Sequence, residues 1–301
     1  MSRTYRFVTV DVFTKVRFGG NPLAVFPDAR GLSDAEMQSL AAEFNLSETT
    51  FVLPPDDPAN TARVRIFNRT AEMPFAGHPN VGTGWVLARE GVPWGEAARD
   101  GALRFEEIAG LVEVTVGSGG DTAIAAPQPL SLGPEMDAAL LAGCVGLDAG
   151  DVLTAAHRPV MASVGNSFVV AEVAPAALSR AAPDVARFRA ALGAAPELAA
   201  ALGASRLPIY LYARDGSGVR ARMFSPLSGT VEDPATGSAA TPLAALLLSL
   251  SGDAEARLDM AQGAEMGRPS LLRTRARRTP DGIRAWVGGG CVPVLRGEVG
   301  L

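Results

Sequence analysis

The chain has 301 residues, of which 48% are hydrophobic and 20% charged, which is enough apolar material for one large or two ordinary globular domains and excludes a disordered chain. Its 27 basic and 32 acidic residues give a net charge of −5, which argues against nucleic acid as a partner. Two distant cysteines, no apolar run long enough to span a bilayer and no secretory pattern at the start predict a cytoplasmic protein with no membrane segment.

The first part of the chain alternates strand and helix patterns. In chain order, strands are predicted at RFVTVDVF and PLAVFP, a helix at LSDAEMQSLAAEFN, strands at SETTFVLPP and ARVRIFN, a helix at PNVGTGWVLARE, and strands at ALRFEEIAG and LVEVTVG. In the first helix Ser33 is the predicted N-cap and Glu36 completes a capping box. The segment SGGD at residues 118–121 is the best candidate for a linker between domains.

The second part repeats this organisation. Its predicted elements are a strand at TAIAAP, a helix around residues 134–143, strands at RPVMASVG and SFVVAEV, helices between about 175 and 203, strands at PIYLYAR and VRARMFSP, a helix at PATGSAATPLAALLLSL, and further strands. Two passes of mostly antiparallel strands do not form a βαβ pattern, and no GxGxxG segment opens a helix after a strand. A dinucleotide-binding fold is therefore not predicted.

Two segments, FAGHPNVGTGWVL and VEDPATGSAATPLAALL, share one design. Each places a polar residue, His78 or Asp233, directly before a proline and then becomes an apolar helix. Because proline is tolerated at the first helical position, His78 and Asp233 are predicted to be helix N-caps. Two such helix starts facing each other would bind an anion such as a carboxylate. The small residues expected to leave backbone N–H groups open to a ligand are Gly77, Gly82, Gly84, Ala235, Gly237 and Ser238.

At these segments the sequence resembles the phenazine-biosynthesis (PhzF-like) isomerase family, relatives of diaminopimelate epimerase. The resemblance covers essentially the whole chain through VDVFTKVRFGGNPLAVF, NLSETTFV, FAGHPNVG, MFSPLSGTVEDPATGSAA and QGAEMGRPS. It implies an α+β fold of two similar domains, each a mostly antiparallel sheet wrapped around a central helix, with the active site in the cleft between them. The expected domains are 1–118 and 119–287, with a last strand at 288–301 returning to the first. The resemblance also implies a homodimer.

The resemblance assigns the site residues by position. Glu48 of NLSET matches the catalytic acid/base of the family, while His78 and Asp233 match its other catalytic positions. A group that takes a proton from carbon and returns it needs a suitable pKa, and the apolar TTFVL segment beside Glu48 favours this. His78 is expected to hydrogen-bond or protonate the substrate, and Asp233 to hold a substrate amine or orient His78. The residues expected to bind the substrate are Gly77, Thr236, Gly237 and Ser238.

Together these residues predict an isomerase that moves a proton between carbons of a small carboxylate-bearing metabolite; they do not identify the metabolite. No cluster has metal-ligand spacing and no phosphate loop is present, so no metal and no cofactor are expected. Three alternatives stay open: a non-catalytic metabolite-binding scaffold, an amino-acid epimerase or racemase with two catalytic cysteines, and a serine hydrolase. Neither of the segments FAGHPNVGTGWVL and VEDPATGSAATPLAALL contains a cysteine, which disfavours the racemase. The motif GxSxG is absent, which disfavours the serine hydrolase. The second histidine, His157, is predicted to be structural or on the surface.

Overall fold

The structure, a computed structural model, describes residues 3–95, 101–216 and 218–301. The chain forms two compact units. Unit 1 consists of Met1–Ala125 and Gly288–Leu301, and unit 2 of Ala126–Val287. Over the described ranges, no helix is both long enough and apolar enough to cross a membrane.

The helices and strands follow one another along the chain as follows. The first elements are β1 (Thr4–Val12), β2 (Asn21–Phe26), α1 (Asp34–Phe44), β3 (Glu48–Leu53), β4 (Ala62–Phe67), β5 (Glu72–Met73), α2 (Gly77–Glu90), β6 (Ala102–Glu107), β7 (Gly110–Val116) and β8 (Thr122–Ala125). Next come β9 (Ser131–Glu135), α3 (Ala138–Cys144), β10 (Val152–Leu153), β11 (Val160–Ser163), β12 (Ser167–Val173), α4 (Pro175–Leu178), α5 (Val185–Ala194) and α6 (Pro196–Leu202). The last are β13 (Ile209–Asp215), β14 (Gly218–Ser225), β15 (Thr230–Asp233), α7 (Gly237–Ser249), β16 (Glu255–Gln262), β17 (Ser270–Thr279), β18 (Gly282–Gly289) and β19 (Cys291–Gly300).

The sheet of unit 1 has the order β19, β1, β2, β3, β4, β6, β7, β8. Most neighbours are antiparallel, while β2 with β3 and β4 with β6 are parallel. The last strand of the chain, β19, therefore pairs with the first. Because parallel neighbours need a crossover connection, α1 joins β2 to β3, and a segment with α2 joins β4 to β6.

Helix α2 is the central helix of unit 1. Every residue from Gly77 to Leu87 is buried, and the helix packs against β1, β2, β3, β7 and β8. Polar anchors fix it to the sheet: the hydroxyl groups of Thr83 and Thr50 lie 2.8 Å apart, and Thr122 Oγ1 donates to the carbonyl of Val81 at 2.8 Å. A helix buried all round is held by tertiary packing, since nothing in it forms a polar face.

Helix α1 covers the outer face of the same sheet. Met37, Leu40 and Ala41 of α1 pack on a cluster that includes Phe26, Phe51 and Phe67, and each fully buried aromatic or aliphatic side chain contributes about 1.5–3 kcal/mol. The predicted N-terminus of this helix is confirmed: Ser33 is its N-cap, and both hydrogen bonds of the capping box with Glu36 are present.

The prediction that SGGD is a linker between domains is wrong. Residues 118–121 form the turn between β7 and β8, closed by a hydrogen bond from the N–H of Gly117 to the carbonyl of Asp121 at 2.9 Å. The reason is that β8 continues the sheet of unit 1, with Ile124 opposite Val114. Glycine-rich turns and flexible linkers share a composition, so the sequence alone does not distinguish them.

Unit 2 repeats the pairing pattern of unit 1. Its strands run in the order β9, β11, β12, β13, β14, β16, β17, with parallel pairs β12–β13 and β14–β16 at the places that β2–β3 and β4–β6 occupy in unit 1. The short β15 pairs with β14 as β5 pairs with β4. The predicted α+β fold of two similar, mostly antiparallel domains is confirmed.

Helix α7 takes the place of α2 in unit 2. It is buried along most of its length and packs against β11, β12, β16 and β17. On the other face of the sheet, α3, α5 and α6 cover β12 and β13 around the fully buried Phe188. The predicted helix around residues 134–143 begins later than expected, at Ala138, because residues 134 and 135 belong to β9, which pairs with β11.

Candidate functional site

The turn from α1 into β3 places Glu48. Asn45 closes α1 in a left-handed conformation with φ of 53°, which asparagine tolerates better than most residues. Ser47 Oγ then donates to Oδ1 of the fully buried Asn21 at 3.1 Å. Glu48 is the first residue of β3, opposite Leu23 of β2, and its side chain is 16% exposed. A capped helix end and one side-chain hydrogen bond thus fix the backbone on the N-terminal side of Glu48.

His78 is not a helix N-cap, contrary to the prediction. The N-cap of α2 is Ala76, in an extended conformation, and His78 is the second residue of the helix. Pro79 is accommodated at the third position because N–H groups of the first turn have no intrahelical acceptor, so its missing N–H is tolerated there too. The side chain of His78 is therefore free of a capping role.

His78 and Glu48 form the core of the candidate site in unit 1. Nε2 of His78 lies 3.4 Å from Oε2 of Glu48. Nε2 is buried and makes no hydrogen bond of good geometry with the described residues. Burial lowers the pKa of His78 to about 3, so the imidazole is neutral at neutral pH. A neutral imidazole beside a carboxylate in a weakly polar environment can donate or accept a hydrogen bond without adding charge.

The glycines of α2 divide into two groups. Gly77 begins the helix, next to His78. Gly82 and Gly84, expected to expose backbone N–H groups to a ligand, instead pack on the sheet. A Cβ on Gly82 would lie 2.6 Å from a methyl carbon of Leu23, and one on Gly84 would lie 2.6 Å from a methyl carbon of Val114. Their role is close helix–sheet contact, since only glycine leaves room for it.

Asp233 is also not a helix N-cap. It is the last residue of β15, opposite Met223 of β14, and α7 begins only at Gly237 with Thr236 as its N-cap. Thr236 Oγ1 donates to Oδ2 of Asp233 at 2.5 Å, so the side chain of Asp233 stabilises the turn into the helix rather than the helix itself. Asp233 is buried, with 8% of its surface exposed.

Gln262, which is not among the predicted site residues, holds this turn together. Its Nε2 donates to the carbonyl of Asp233 at 2.7 Å and to Thr236 Oγ1 at 3.0 Å. Its Oε1 accepts from the N–H of Thr236 at 3.2 Å and from the hydroxyl of Tyr210 at 3.2 Å. Burial and the negative charge of Asp233 raise the pKa of Tyr210, which keeps this hydroxyl a donor. Gln262 is buried at the end of β16 and is the first residue of the segment QGAEMGRPS, which is the one sequence feature that marked its neighbourhood.

The first turn of α7 has no side-chain cap. Thr236 makes no side-chain hydrogen bond to the helix N–H groups. The hydroxyl of Ser238, in the second helical position, is partly exposed and makes no hydrogen bond within the described part of the chain. The backbone N–H groups at Gly237 and Ser238 have no acceptor within the helix and carry its positive end. The start of α2 is likewise uncapped by a side chain.

Other chemically active side chains lie outside these sites. His157 bonds the Arg158 carbonyl through Nδ1 at 2.8 Å and the Tyr212 hydroxyl through Nε2 at 2.9 Å, which is the predicted structural role. Cys144 ends α3 and Cys291 begins β19, and both are buried. Burial raises the pKa of Cys144 to about 11 and that of Cys291 to about 12. No group of three or more His, Cys, Asp or Glu side chains among residues 3–95, 101–216 and 218–301 is arranged to hold a metal ion.

The predicted site residues thus fall into two groups, one in each unit. The group in unit 1 contains Glu48, Gly77 and His78. The α7 group, in unit 2, contains Asp233, Thr236, Gly237 and Ser238, supported by Gln262. Their assignment as catalytic or substrate-binding residues stays a prediction.

Comparison with known proteins gives consistent matches along the chain. The sequence model of the phenazine biosynthesis-like protein family matches residues 10–297. The chain is 38% identical to an uncharacterized isomerase of Mesorhizobium japonicum, covering 99% of both chains. It is 36% identical to the trans-2,3-dihydro-3-hydroxyanthranilate isomerase of Pseudomonas chlororaphis, covering 99% of this chain and 100% of that one. The crystal structure of a Bacillus anthracis phenazine biosynthesis protein of the PhzF family is 25% identical, with a TM-score of 0.85 and 99% of both chains covered.

Proposed function

Because the chain belongs to the phenazine biosynthesis-like family and is an isomerase of that family, we propose that it moves a proton between two carbons of a small carboxylate-bearing metabolite through Glu48. The observation that carries this proposal is the pair formed by Glu48 and the buried, neutral His78, with Nε2 and Oε2 3.4 Å apart. The proposal needs no cofactor, since one carboxylate serves as both base and acid.

The proposed chemistry uses Glu48 twice. Its carboxylate removes a proton from one carbon of the substrate, and the resulting carboxylic acid, after exchange with solvent, returns a proton to another carbon of the same conjugated system. The low polarity around Glu48 and His78 strengthens each hydrogen bond made to the charge that develops on the substrate. His78, being neutral, hydrogen-bonds a substrate oxygen or the carboxyl of Glu48 and does not act as an imidazolium acid.

Comparison of equivalent strands in the two units supports a mechanism with a single acid/base. In unit 1 the register of the parallel pair β2–β3 sets Glu48 opposite Leu23, and in unit 2 the corresponding pair β12–β13 sets Ile209 opposite Val169. Unit 2 thus begins its equivalent strand with an apolar residue that cannot transfer a proton. One base that shuttles a proton is the pattern expected of an enzyme that moves a proton from one carbon to another, whereas a two-base racemase needs one base for each face of a single carbon.

The cysteine-dependent alternative is not supported. A catalytic thiol must reach the thiolate form, and burial raises the pKa of both Cys144 and Cys291 far above neutral pH. Neither cysteine lies in the first turn of α2 or α7.

The α7 group is proposed to bind the substrate. The N–H groups at Gly237 and Ser238, with the Ser238 hydroxyl, hold its carboxylate at the positive end of α7. Asp233 holds an amine of the substrate. A relative in Pseudomonas chlororaphis is named for trans-2,3-dihydro-3-hydroxyanthranilate, a compound with both a carboxylate and an amine, and this makes it the first substrate to test.

The test is turnover in heavy water. The enzyme is incubated with trans-2,3-dihydro-3-hydroxyanthranilate and with related amino and hydroxy carboxylates, and the products are followed by proton NMR. Isomerisation of at least one compound, with deuterium entering at carbon, supports the proposal. Tight binding of a compound with neither isomerisation nor exchange would favour the non-catalytic scaffold, and labelling of Ser238 by a fluorophosphonate would favour the hydrolase.

Two further expectations accompany the function. The relatives that are isomerases imply a small-molecule substrate for this chain. A homodimer and a cytoplasmic location remain predictions, the first testable by analytical ultracentrifugation and the second by cell fractionation.

A further inference from the structure

Strand β19 is an outer strand of the unit 1 sheet, and its edge away from β1 is open. It pairs with β1, and no other strand in the described parts of the chain is hydrogen-bonded to it. Pro293 and an extra residue, Val294, interrupt its regular pairing near the start of the strand. The regular part of the edge is therefore residues 295–301. An open edge of this kind can pair with another strand.

The hydrogen bonds to β1 determine which residues face outward. The N–H and the carbonyl of Leu301 both bond Arg3, each at 2.8 Å. In an antiparallel pair, residues that exchange hydrogen bonds with the neighbouring strand alternate with residues whose N–H and carbonyl groups point the other way. The residues whose N–H and carbonyl groups point away from β1 are Arg296, Glu298 and Gly300. A strand added at this edge must place its own outward-facing residues opposite them.

The side chains of β19 give its two faces different characters. Arg296 and Glu298 lie on one face and are exposed, and the Arg296 guanidinium is 3.5 Å from Glu90 at the end of α2. The other face looks toward α1. There Val299 packs on the aromatic cluster under α1, and Leu295 is 59% exposed. Val299, Leu301 and α1 line a groove of about 500 Å³.

The charges select one way for this edge to pair with itself. Two copies of the strand, related by a two-fold axis at Gly297, bring Arg296 of each copy opposite Glu298 of the other. An axis at Arg296 would place two arginines opposite each other, and an axis at Glu298 would place two glutamates there. Like charges directly opposite are unfavourable in a sheet, whereas opposite charges are favourable. An axis between two residues would set an outward-facing residue against an inward-facing one, which loses the hydrogen bonds.

The same register pairs the apolar residues. With the axis at Gly297, Leu295 of each copy lies opposite Val299 of the other on the α1 face, beside the groove. Backbone groups, charges and apolar side chains therefore agree on one arrangement. This agreement favours a second copy of the chain over an unrelated strand, whose side chains would have no reason to match.

We propose that the outer edge of β19 is an interface at which two copies of this chain pair antiparallel around Gly297, so that their unit 1 sheets form one continuous sheet. Each copy contributes Arg296 to one ion pair and Glu298 to the other. The exposed Leu295 of each copy is covered at the same time. The inference does not depend on the proposed function, because no substrate takes part in it.

The test uses charge reversal and sedimentation equilibrium. The parent should be a dimer, and Arg296→Glu or Glu298→Arg alone should raise the dissociation constant at least about thirtyfold, because each converts two attractions into two repulsions. The Arg296→Glu, Glu298→Arg double variant should return to within about threefold of the parent. Glu113→Arg reverses an exposed charge on β7, which has a neighbouring strand on each side, and should leave the dimer unchanged.

Mixing the two single variants tests the register itself. Each single variant repels its own copy, but Arg296→Glu and Glu298→Arg chains complement each other. An equimolar mixture should therefore form a hybrid dimer, detected by native mass spectrometry with one chain isotope-labelled. Circular dichroism confirms that both single variants are folded.

Hydrogen exchange of the parent gives a readout without any substitution. The amides of Arg296 and Glu298 should exchange slowly in the dimer and become fast on dilution below the dissociation constant. The amide of Val299, which faces β1, should stay slow in both conditions and is the internal reference.

Three results would overturn the proposal. They are a parent that is monomeric at up to about 100 µM, a dimer that both single charge reversals leave intact, and folded single variants that form no hybrid. A monomeric parent whose β19 edge binds a strand of another protein would assign a different occupant and reject the second copy. If a variant fails to fold, the exchange rates of Arg296 and Glu298 in the parent decide the matter.

Discussion

Nε2 of His78 and Oε2 of Glu48 lie 3.4 Å apart, and the two side chains come from the start of a central helix and the start of a strand. Helix α2 is buried all round, so its first turn carries His78 into an environment in which the imidazole is neutral. The same burial leaves the carboxyl of Glu48 with only 16% of its side chain exposed. The pair joins a proton-transferring group to a neutral hydrogen-bonding partner.

Burial of His78 has a consequence for stability against pH. Its pKa falls from an ordinary value of 6.5 to about 3 on folding, so between these values the unfolded chain binds a proton that the folded chain does not. Stability must therefore rise with pH across that window and is lost as pH falls through it. In His78→Gln this contribution, about 1 kcal/mol per pH unit, should disappear from urea unfolding measured between pH 4.5 and 6.5. An identical pH slope in the two proteins would contradict the buried neutral state.

The hydrogen bonds of Gln262 should matter for substrate binding. Gln262→Leu removes the bonds to Asp233, Thr236 and Tyr210, and should lower the free energy of unfolding by about 1–3 kcal/mol because buried polar groups lose partners. It should also raise KM about tenfold, since the first turn of α7 is no longer fixed. Chemical denaturation and steady-state kinetics measure the two effects.

Two matched substitutions at Thr236 test the contribution of its hydroxyl group to substrate binding. Thr236→Ser keeps the donor to Oδ2 of Asp233 and should retain KM within about twofold, whereas Thr236→Val keeps the shape, loses the donor and should resemble Gln262→Leu. Equal kinetics for the serine and valine variants would show that this hydrogen bond has no part in binding.

The two cysteines should be dispensable for catalysis. In a Cys144→Ala, Cys291→Ala double variant, kcat and KM should stay within about threefold of the parent, because both thiols are buried and protonated. Some stability should be lost, about 1 kcal/mol for each cavity, so activity is compared well below the melting temperature. Loss of turnover in the folded double variant would restore the two-thiol alternative.

Two glycine substitutions in helices should act in opposite directions. Gly82→Ala places a methyl group 2.6 Å from Leu23 and 2.8 Å from Val12, and should lower stability by about 1–3 kcal/mol. Gly193→Ala in the exposed face of α5 meets no neighbour and should raise stability by up to about 1 kcal/mol through helix propensity. Thermal unfolding of the two variants beside the parent provides the comparison; a stabilised Gly82→Ala would contradict the close packing of α2 on β1 and β2.

Features encoded over short distances along the chain were predictable from the sequence. The capping box of Ser33 and Glu36 involves four consecutive positions and is present as predicted. The strands and the central helices were predictable in the same way, from the spacing of apolar residues. The resemblance to a known family supplied the two-domain arrangement, which no local pattern contains.

Features that depend on tertiary packing were not predictable from the sequence. The N-cap prediction for His78 and Asp233 used the rule for proline at a helix start, but burial of α2 and the turn that Gln262 holds decide where the helices begin. Gln262 contacts Asp233 and Thr236, which lie 29 and 26 positions away, so no short motif links them.

The most direct test of the central claim is deuterium transfer by Glu48→Gln. In heavy water, with a substrate that the parent isomerises, the parent should place deuterium on carbon, whereas Glu48→Gln should lower the rate of both isomerisation and exchange by at least about a hundredfold while still binding the substrate. Glu43→Gln, an exposed glutamate on α1, controls for loss of a nearby charge and should behave as the parent. Carbon-bound deuterium appearing at the parental rate in the folded Glu48→Gln variant would show that another group transfers the proton.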